Sequence, residues 1–355
     1  MRTIRYEAPD FGAPIAAAER VLPEPTGTEV VVAVSHCGVC HTDLHVHEGG
    51  YDLGAGRRMR FAERGVEPPL VLGHEIVGHA VAAGPEAGTP PDGPSLVYPW
   101  IGCGTCFRCA DGDEHLCADA RFLGVFRPGG YAEHVVVPHP RYLVPLDGID
   151  PGVAAPFACS GLTAFGATRR IGAPRAGTAV AVIGCGGLGL TAVALLRQMG
   201  HGRVVGVDPD PAKRAAAERL GAAATADSEG LEAGALNAAA DAPILAVLDF
   251  VGGEATAALA LASMAKGGLL VVVGLFGGEL RYPLPFFPVR SVGVVGSYVG
   301  GLGDLRAYVA HVRAHGVPGV PITHRPMREA DAVLGDLGAG RIVGRAVLVA
   351  GGADG

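Results

Sequence analysis

TAVAVIGCGGLGLTAVALL, residues Thr178 to Leu196, decides how this chain folds. The stretch carries no charge and is long enough to span a bilayer. Its glycines cluster in the middle, Pro174 and Arg175 stand just before it, and no second span follows. A buried strand, a glycine turn and a helix therefore account for it better than a membrane segment. Gly184, Gly186 and Gly189 fall in a G-x-G-x-x-G spacing at the strand-to-helix junction. The first glycine makes the tight turn, the second lets a backbone approach a pyrophosphate, and the third permits close helix–strand packing. The helix start then offers free N–H groups to phosphates.

The surrounding residues repeat the same texture. From about Gly161, apolar β runs such as RVVGVD, ILAVLDFVG and GLLVVVGLFG alternate with helical runs such as PAKRAAAERLG and EATAALALASMA. That alternation predicts a parallel sheet covered on both faces, a doubly wound dinucleotide-binding domain over residues 161–295. RVVGVD ends at Asp208, nineteen residues past Gly189. A carboxylate there accepts hydrogen bonds from the adenosine ribose and repels a 2′-phosphate, which favours NAD over NADP. The other reading of Asp208 is a helix N-cap or turn residue before PDPAKR.

Residues 1–150 read as short β segments, EVVVAVSH and HVVVPHP among them, broken by Gly/Pro-rich loops, so an antiparallel β-rich domain is expected. After about Val295 the pattern turns irregular and ends in the strand RIVGRAVLVA with no helix to follow, so the tail is expected to return to the first domain. The divisions are thus 1–160 with 296–355, and 161–295. Residues 57–67 and 84–94 read as exposed loops.

Composition limits the function. Of 355 residues 49% are hydrophobic and 18% charged, as in a globular protein with a large core. A net charge of -7 without a Lys/Arg run argues against nucleic acid or an anionic membrane as partner. The N-terminal MRTIRYEAPDFGAP has no apolar h-region, so a cytoplasmic location is expected. Eight cysteines in a large chain of this kind read as metal ligands or catalytic thiols rather than disulfides.

CGTCFRCADGDEHLC places Cys103, Cys106, Cys109 and Cys117 at C-x2-C-x2-C-x7-C. Four thiolates on one loop close a tetrahedral shell around zinc with no open position, which makes the site structural. The Pro and the spacing of ferredoxin clusters are missing. A catalytic zinc instead keeps three protein ligands and a vacancy. Cys40 in CGVCHTDLH, His74 in LVLGHEIVGHA and Cys159 in PFACSGLTAF supply a Cys2His set, although a lone cysteine such as Cys159 is ordinarily packing.

CGVCHTDLH, GHEIVG, the four-cysteine lobe, GGYAEHV, CSGLTAF and GCGGLG occur in the order seen in zinc-dependent medium-chain alcohol dehydrogenases, which the chain resembles over nearly its whole length. The resemblance implies a GroES-like β-rich catalytic domain beside a Rossmann domain, one catalytic and one structural zinc ion, and NAD(H). It implies Cys40, His74 and Cys159 as ligands, with Glu75 able to approach the metal and Asp43 accepting from His74. Thr42 becomes the hydroxyl that meets the substrate oxygen, and His45 the outer end of a proton relay through the cofactor ribose. Gly187 and Leu188 join the glycine turn at the cofactor. Lys213 would touch the ribose, Val273 and Leu275 the nicotinamide, and Arg345 the pyrophosphate. Tyr51 and Trp100 would line the substrate pocket. Cys37, His41 and His47 are left without a role.

The resemblance implies an alcohol oxidised to an aldehyde or ketone, or the reverse reduction, in a homotetramer, with a dimer as the other possibility. Its rivals are a zinc-dependent reductase of imines, polyols or a specific aldehyde on the same fold, and a non-catalytic zinc and nucleotide sensor. An extra segment, Asp52 to Glu67, carries Arg57, Arg58, Arg60 and Arg64 and resembles the 6-hydroxyhexanoate dehydrogenase-like branch. An arginine there is expected to pair with the carboxylate of an ω-hydroxy acid.

Overall fold

The computed structural model describes residues 1–351; residues 352–355, the end of the expected return segment, lie outside them. β1 (Arg2–Glu7) and β2 (Ala16–Val21) form an antiparallel pair. The β-branched run VVVAVSHCGV makes β3 (Val30–Val39), buried along most of its length because strands flank it on both sides. Cys40 ends that strand and caps α1 (His41–His47). A hairpin follows, β4 (Gly50–Gly54) with β5 (Arg57–Arg60). Next come β6 (Glu75–Ala83), β7 (Ser95–Val97), the short α2 (Phe107–Ala110), β8 (His134–Val137) and β9 (Leu143–Pro145).

The second half starts with α3 (Pro151–Ala154) and α4 (Ser160–Arg170). It then alternates: β10 (Ala179–Ile183), α5 (Gly187–Gln198), β11 (Arg203–Val207), α6 (Pro211–Arg219), β12 (Ala224–Ala226), α7 (Ala233–Ala240) and β13 (Ile244–Asp249). It continues with α8 (Glu254–Ser263), β14 (Leu269–Val272), α9 (Phe286–Arg290) and β15 (Gly293–Gly296). The chain closes with α10 (Leu302–His315), β16 (Ile322–Pro326), α11 (Ala330–Gly338) and β17 (Arg345–Val349).

Among the described residues, β10 to β15 form a six-stranded parallel sheet in the order β12-β11-β10-β13-β14-β15. All five residues of β10 are buried, as two covered faces require. The strand order turns at β10, so the crevice beyond its carboxyl end is where such sheets take ligands. The glycine turn sits there. Residues 178–196 are thus divided between β10, the glycine turn and α5, and no helix of the described residues is long and apolar enough to cross a membrane.

A seven-stranded sheet gathers β3, β6, β7, β8 and β9 with β16 and β17. The terminal strand does come back: β17 runs antiparallel to β3, with Val347 opposite Gly38. Buried residues of both halves form one continuous core, from Val32 and Ile76 through Leu162 and Leu195 to Tyr308.

Two expectations need correction. Residues 57–67 are not a plain loop, because Arg57–Arg60 pair with β4 and only the following turn is irregular. The stretch after Val295 is not irregular either. It holds α10, whose Leu305, Tyr308, Val309 and Val312 bury one helical face. Glycines and histidines around those positions mask the period in the sequence. The segment 84–94 is an irregular connection between β6 and β7, mostly exposed.

Candidate active site

Cys40 and Cys159 both stand at helix starts, as N-caps of α1 and α4, and His74 immediately precedes β6. The ligating atoms of the three residues lie within 4.8 Å of one another, and all three residues are buried. The two sulfurs are 3.8 Å apart. His74 is completely buried; its Nδ1 lies 2.9 Å from Asp43 Oδ1, while Nε2 has no partner. A buried ring nitrogen left unpaired between two sulfurs is costly unless something occupies the space between them. Two thiols and one imidazole with an open fourth side are the donor set of a catalytic zinc.

Neighbouring groups hold this geometry. Asp43 Oδ2 accepts from the Cys40 N–H at 2.9 Å and Oδ1 from the Gly73 N–H at 3.0 Å, so one carboxylate ties both ligand-bearing segments together. Trp100 is buried, donates from Nε1 to the Ala158 carbonyl at 2.9 Å, and stands edge-on to the His74 ring at 5.3 Å. The Cys40 and Cys159 sulfurs share a hydrogen bond, which holds Cys40 well below the ordinary thiol range and pushes Cys159 well above it. Burial lowers the His74 basicity, but the Asp43 carboxylate beside it outweighs that and raises it. Glu75 is occupied on both oxygens. Oε1 accepts from the Ser160 N–H at 3.0 Å and Oε2 pairs with Arg345, yet burial still lifts its carboxyl to about 7.

The cluster opens into two adjoining cavities. The inner, about 120 Å³, is lined by Cys40, Thr42, His45, Trp100, Cys159, Leu188 and Val273 among others. The outer, about 390 Å³, is walled by Tyr51, Met59, Phe61 and Arg64 on one side and by Leu116, Cys117 and Ala118 on another. Thr42, Leu275 and Tyr298 belong to both. The His45 ring packs 4.8 Å from that of Tyr51, and burial keeps it less basic than a free imidazole. Sequence reasoning missed His41, Phe250, Phe276 and Tyr298, which also line the inner cavity. His41 is signalled by its place beside Cys40; the other three are isolated aromatics that no motif distinguishes. His47 is tied to the Ala13 carbonyl at 2.7 Å, away from both cavities, and Cys37 is buried packing.

Cys103, Cys106, Cys109 and Cys117 bring four sulfurs within 4.8 Å, with Cys106 3.6 Å from Cys109 and 3.7 Å from Cys117. The Thr105 hydroxyl and nearby backbone N–H groups hold Cys103 down to about 6, while burial lifts Cys109 to about 12. Glu114 braces the loop, accepting from the Gly102 N–H at 3.0 Å and the Tyr142 hydroxyl at 2.7 Å. Four sulfurs with no side left open suit a structural zinc.

At the nucleotide crevice Gly184 has φ +87°, and a Cβ on Gly189 would lie 1.8 Å from the Gly184 carbonyl oxygen. Gly186 has open space where a Cβ would point and caps α5 without a side chain. The first N–H groups of α5, at Gly187, Leu188 and Gly189, thus have no intrahelical acceptor. A phosphate fits that cradle. The helix cap after β11 is Asp210, accepting from Ala212 N–H at 2.8 Å, rather than Asp208. Asp208 reaches back to the glycine turn, where Oδ2 accepts from the Cys185 N–H at 2.8 Å. Lys213 lies on α6 with its ammonium 4.0 Å from Asp210. Arg345 is buried against the same turn, since a Cβ on Gly187 would meet its Cδ at 2.2 Å.

The model of the alcohol dehydrogenase GroES-like domain matches residues 26–148, and that of the zinc-binding dehydrogenase matches residues 187–314. The chain is 33% identical to an NAD-dependent alcohol dehydrogenase of Sulfurisphaera tokodaii, over 98% of this chain and 100% of that one. It is also 33% identical to an alcohol dehydrogenase of Geobacillus stearothermophilus, over 90% and 91%. Among solved structures, the alcohol dehydrogenase of Aeropyrum pernix superposes with a TM-score of 0.86 at 29% identity, covering 98% of this chain and 99% of that one. The acetophenone reductase of Geotrichum candidum, solved with NAD, gives 0.81 at 26% identity, covering 98% and 97%. Fold and site define a two-lobed zinc-binding dehydrogenase, and the chain belongs to the zinc-dependent medium-chain alcohol dehydrogenase family.

Proposed function

We propose that this chain is an NAD-dependent zinc alcohol dehydrogenase that moves a hydride reversibly between an alcohol and the nicotinamide, giving or consuming an aldehyde or ketone. The observation that carries this reading is the buried convergence of Cys40, His74 and Cys159, with an unpartnered imidazole nitrogen, at the floor of a cavity that Leu188 and Val273 also line. Residues 1–160 and 296–355 form the catalytic domain in this reading, and 161–295 the cofactor domain.

Cys40, His74 and Cys159 hold one zinc, and Cys103, Cys106, Cys109 and Cys117 the other. When bound, the first zinc supplies Lewis acidity at the cavity floor and the nicotinamide a two-electron acceptor. The Thr42 hydroxyl orients the substrate oxygen, and His45, kept neutral by burial, accepts the released proton at a ring nitrogen. Asp43 holds the His74 tautomer, Glu75 is the carboxylate able to approach the metal, and Arg345, paired with Glu75 and packed against the glycine turn, meets the pyrophosphate. Gly184, Gly186, Gly187, Leu188 and Gly189 seat the pyrophosphate, Asp208 and Lys213 the ribose, and Val273 and Leu275 the nicotinamide. Trp100 and Tyr51 shape the substrate pocket.

Arg64 supports an acidic substrate. Arg57 is engaged by Glu279 and Arg58 by the Glu48 carbonyl, whereas Arg64 lines the outer cavity and makes no ion pair among the described residues. An ω-hydroxy acid would place its carboxylate there and its alcohol at the cavity floor. A homotetramer in the cytoplasm completes the reading. Support for assembly comes from β15 at the sheet edge beside exposed Leu284, Phe286 and Val289, and support for a reducing compartment from the free thiols.

The deciding experiment measures zinc per chain and NAD(P)-linked turnover on alcohols, polyols and cyclic imines. NADH formation from alcohols with two bound zinc ions is expected. Bound zinc without turnover favours the sensor, and a preference for NADP removes the role given to Asp208.

A further inference from the structure

The β4–β5 hairpin leaves the antiparallel half of the molecule and rests on the segment that follows β14 in the parallel half. Glycines at positive φ make the approach possible: Gly54 at +78°, Gly277 at +99° and Gly278 at +109°. A Cβ on Gly54 would lie 2.9 Å from the Gly278 carbonyl carbon, and one on Gly277 would lie 2.6 Å from the Asp52 oxygen. The two segments therefore meet largely through backbone, with only the Glu279 Cγ and the Asp52 Cβ as close. Beside this contact the Arg57 guanidinium donates to Glu279 Oε1 at 2.8 Å.

Each partner in this contact carries a cavity wall. Tyr51 and Met59 of the hairpin face the outer cavity, while Val273, Leu275 and Phe276 of the opposing segment face the inner one. No residue of the hairpin lines the inner cavity. Leu275 of the segment also reaches the outer cavity, so hairpin and segment each contribute to its wall and its width depends on how closely they are held. A contact between glycine backbones offers little dispersion and costs much chain entropy, so it needs a further tie.

We propose that Arg57 and Glu279 are positioning residues: their ion pair holds the hairpin over the outer cavity and thereby determines how well long substrates bind, without touching them. The inference rests on the dehydrogenase reading above for its kinetic half only. Because both side chains are well exposed, the tie is modest and sensitive to salt.

The test uses the charge reversals Arg57→Glu and Glu279→Arg and the double exchange, in the full-length zinc-loaded protein. Each single reversal is expected to raise KM for 1-octanol about three- to five-fold and leave kcat/KM for ethanol within about two-fold, the scale of an exposed ion pair turned repulsive. Hydrogen exchange of residues 50–60 and 274–280 should quicken in both. The double exchange should restore KM and exchange together, which a merely damaged fold would not. Unchanged exchange and unchanged octanol KM in the single variants overturns the proposal, as does a double variant no better than either. Should the wild type turn over no alcohol, the dehydrogenase reading fails and the exchange data alone decide this one.

Discussion

His74 and Asp43, both wholly buried, meet at 2.9 Å through Nδ1 and Oδ1, and this one contact turns the other ring nitrogen toward the sulfurs of Cys40 and Cys159. The same carboxylate accepts backbone N–H groups from Cys40 and Gly73, so orientation of the ring and spacing of the ligands are set together. Asp43→Asn keeps the shape and removes the charge. Zinc affinity at this site should fall about 10- to 100-fold, the usual cost of losing a group that orients a ligand. Competition with a chromogenic chelator measures it, and an unaltered affinity would show that Asp43 is only packing.

The four-cysteine lobe is expected to do more than stiffen a loop. Leu116, Cys117 and Ala118 wall the outer cavity, so Cys117→Ser should lower both zinc content and substrate selectivity. Zinc should drop to one ion per chain, Tm should decrease, and KM should rise for bulky alcohols more than for ethanol. Equal losses for all alcohols would contradict a role in the wall.

Asp208→Ser removes the charge at the end of β11. KM for NAD should rise about tenfold or more, the worth of a hydrogen bond to a charged group, and the preference over NADP should shrink. The Cys185 N–H loses its acceptor in the same variant, so a thermal melt accompanies the kinetics. A cofactor preference that does not move would sink the assignment.

Arg64→Leu separates the acidic-substrate reading from the neutral one. For an ω-hydroxy acid kcat/KM should fall about tenfold, as for a lost charge-assisted contact, and its salt dependence should vanish. The matching 1-alkanol should be unaffected. A wild type that shows no preference for the acid would retire the carboxylate idea.

The buried, lowered histidines should cost stability on acidification, against a smaller opposing gain from Glu75, whose carboxyl burial lifts to about 7, and from His74, which Asp43 raises. Burial holds His36, His45, His115 and His201 below the ordinary 6.5. The unfolded chain therefore takes up protons first as pH falls past 6.5, and the folded state loses ground down through the depressed values. Tm at about pH 5.5 should lie below Tm at about pH 7.5. His201→Asn, remote in sequence from both cysteine clusters, should flatten the slope, and an unchanged slope would show that His201 contributes nothing to it.

Much of this was legible in the order of residues. The glycine triplet can be read because turn sterics act over a few residues, and the four-cysteine lobe because one short loop brings all its sulfurs together. Asp43 lies three residues past Cys40, within reach of its own helix cap. Cys159 stands 119 residues from Cys40 and enters the site because the helical turn Ala155–Ala158 packs against the seven-stranded sheet just before it. Likewise α10 hides its apolar face among glycines and histidines, and becomes plain only where Tyr308 packs on Phe157 and Phe165.

The four arginines of the segment Asp52 to Glu67 mark the limit. Their identities say that positive charge collects between residues 57 and 64, and nothing in their spacing distinguishes one from another. Strand pairing sends Arg57 to Glu279 and leaves Arg64 at the outer cavity. Backbone sterics, capping and ligand spacing are short-range and are written along the chain. Which distant side chains share a space depends on how sheets and loops close upon one another, and that is decided only in three dimensions.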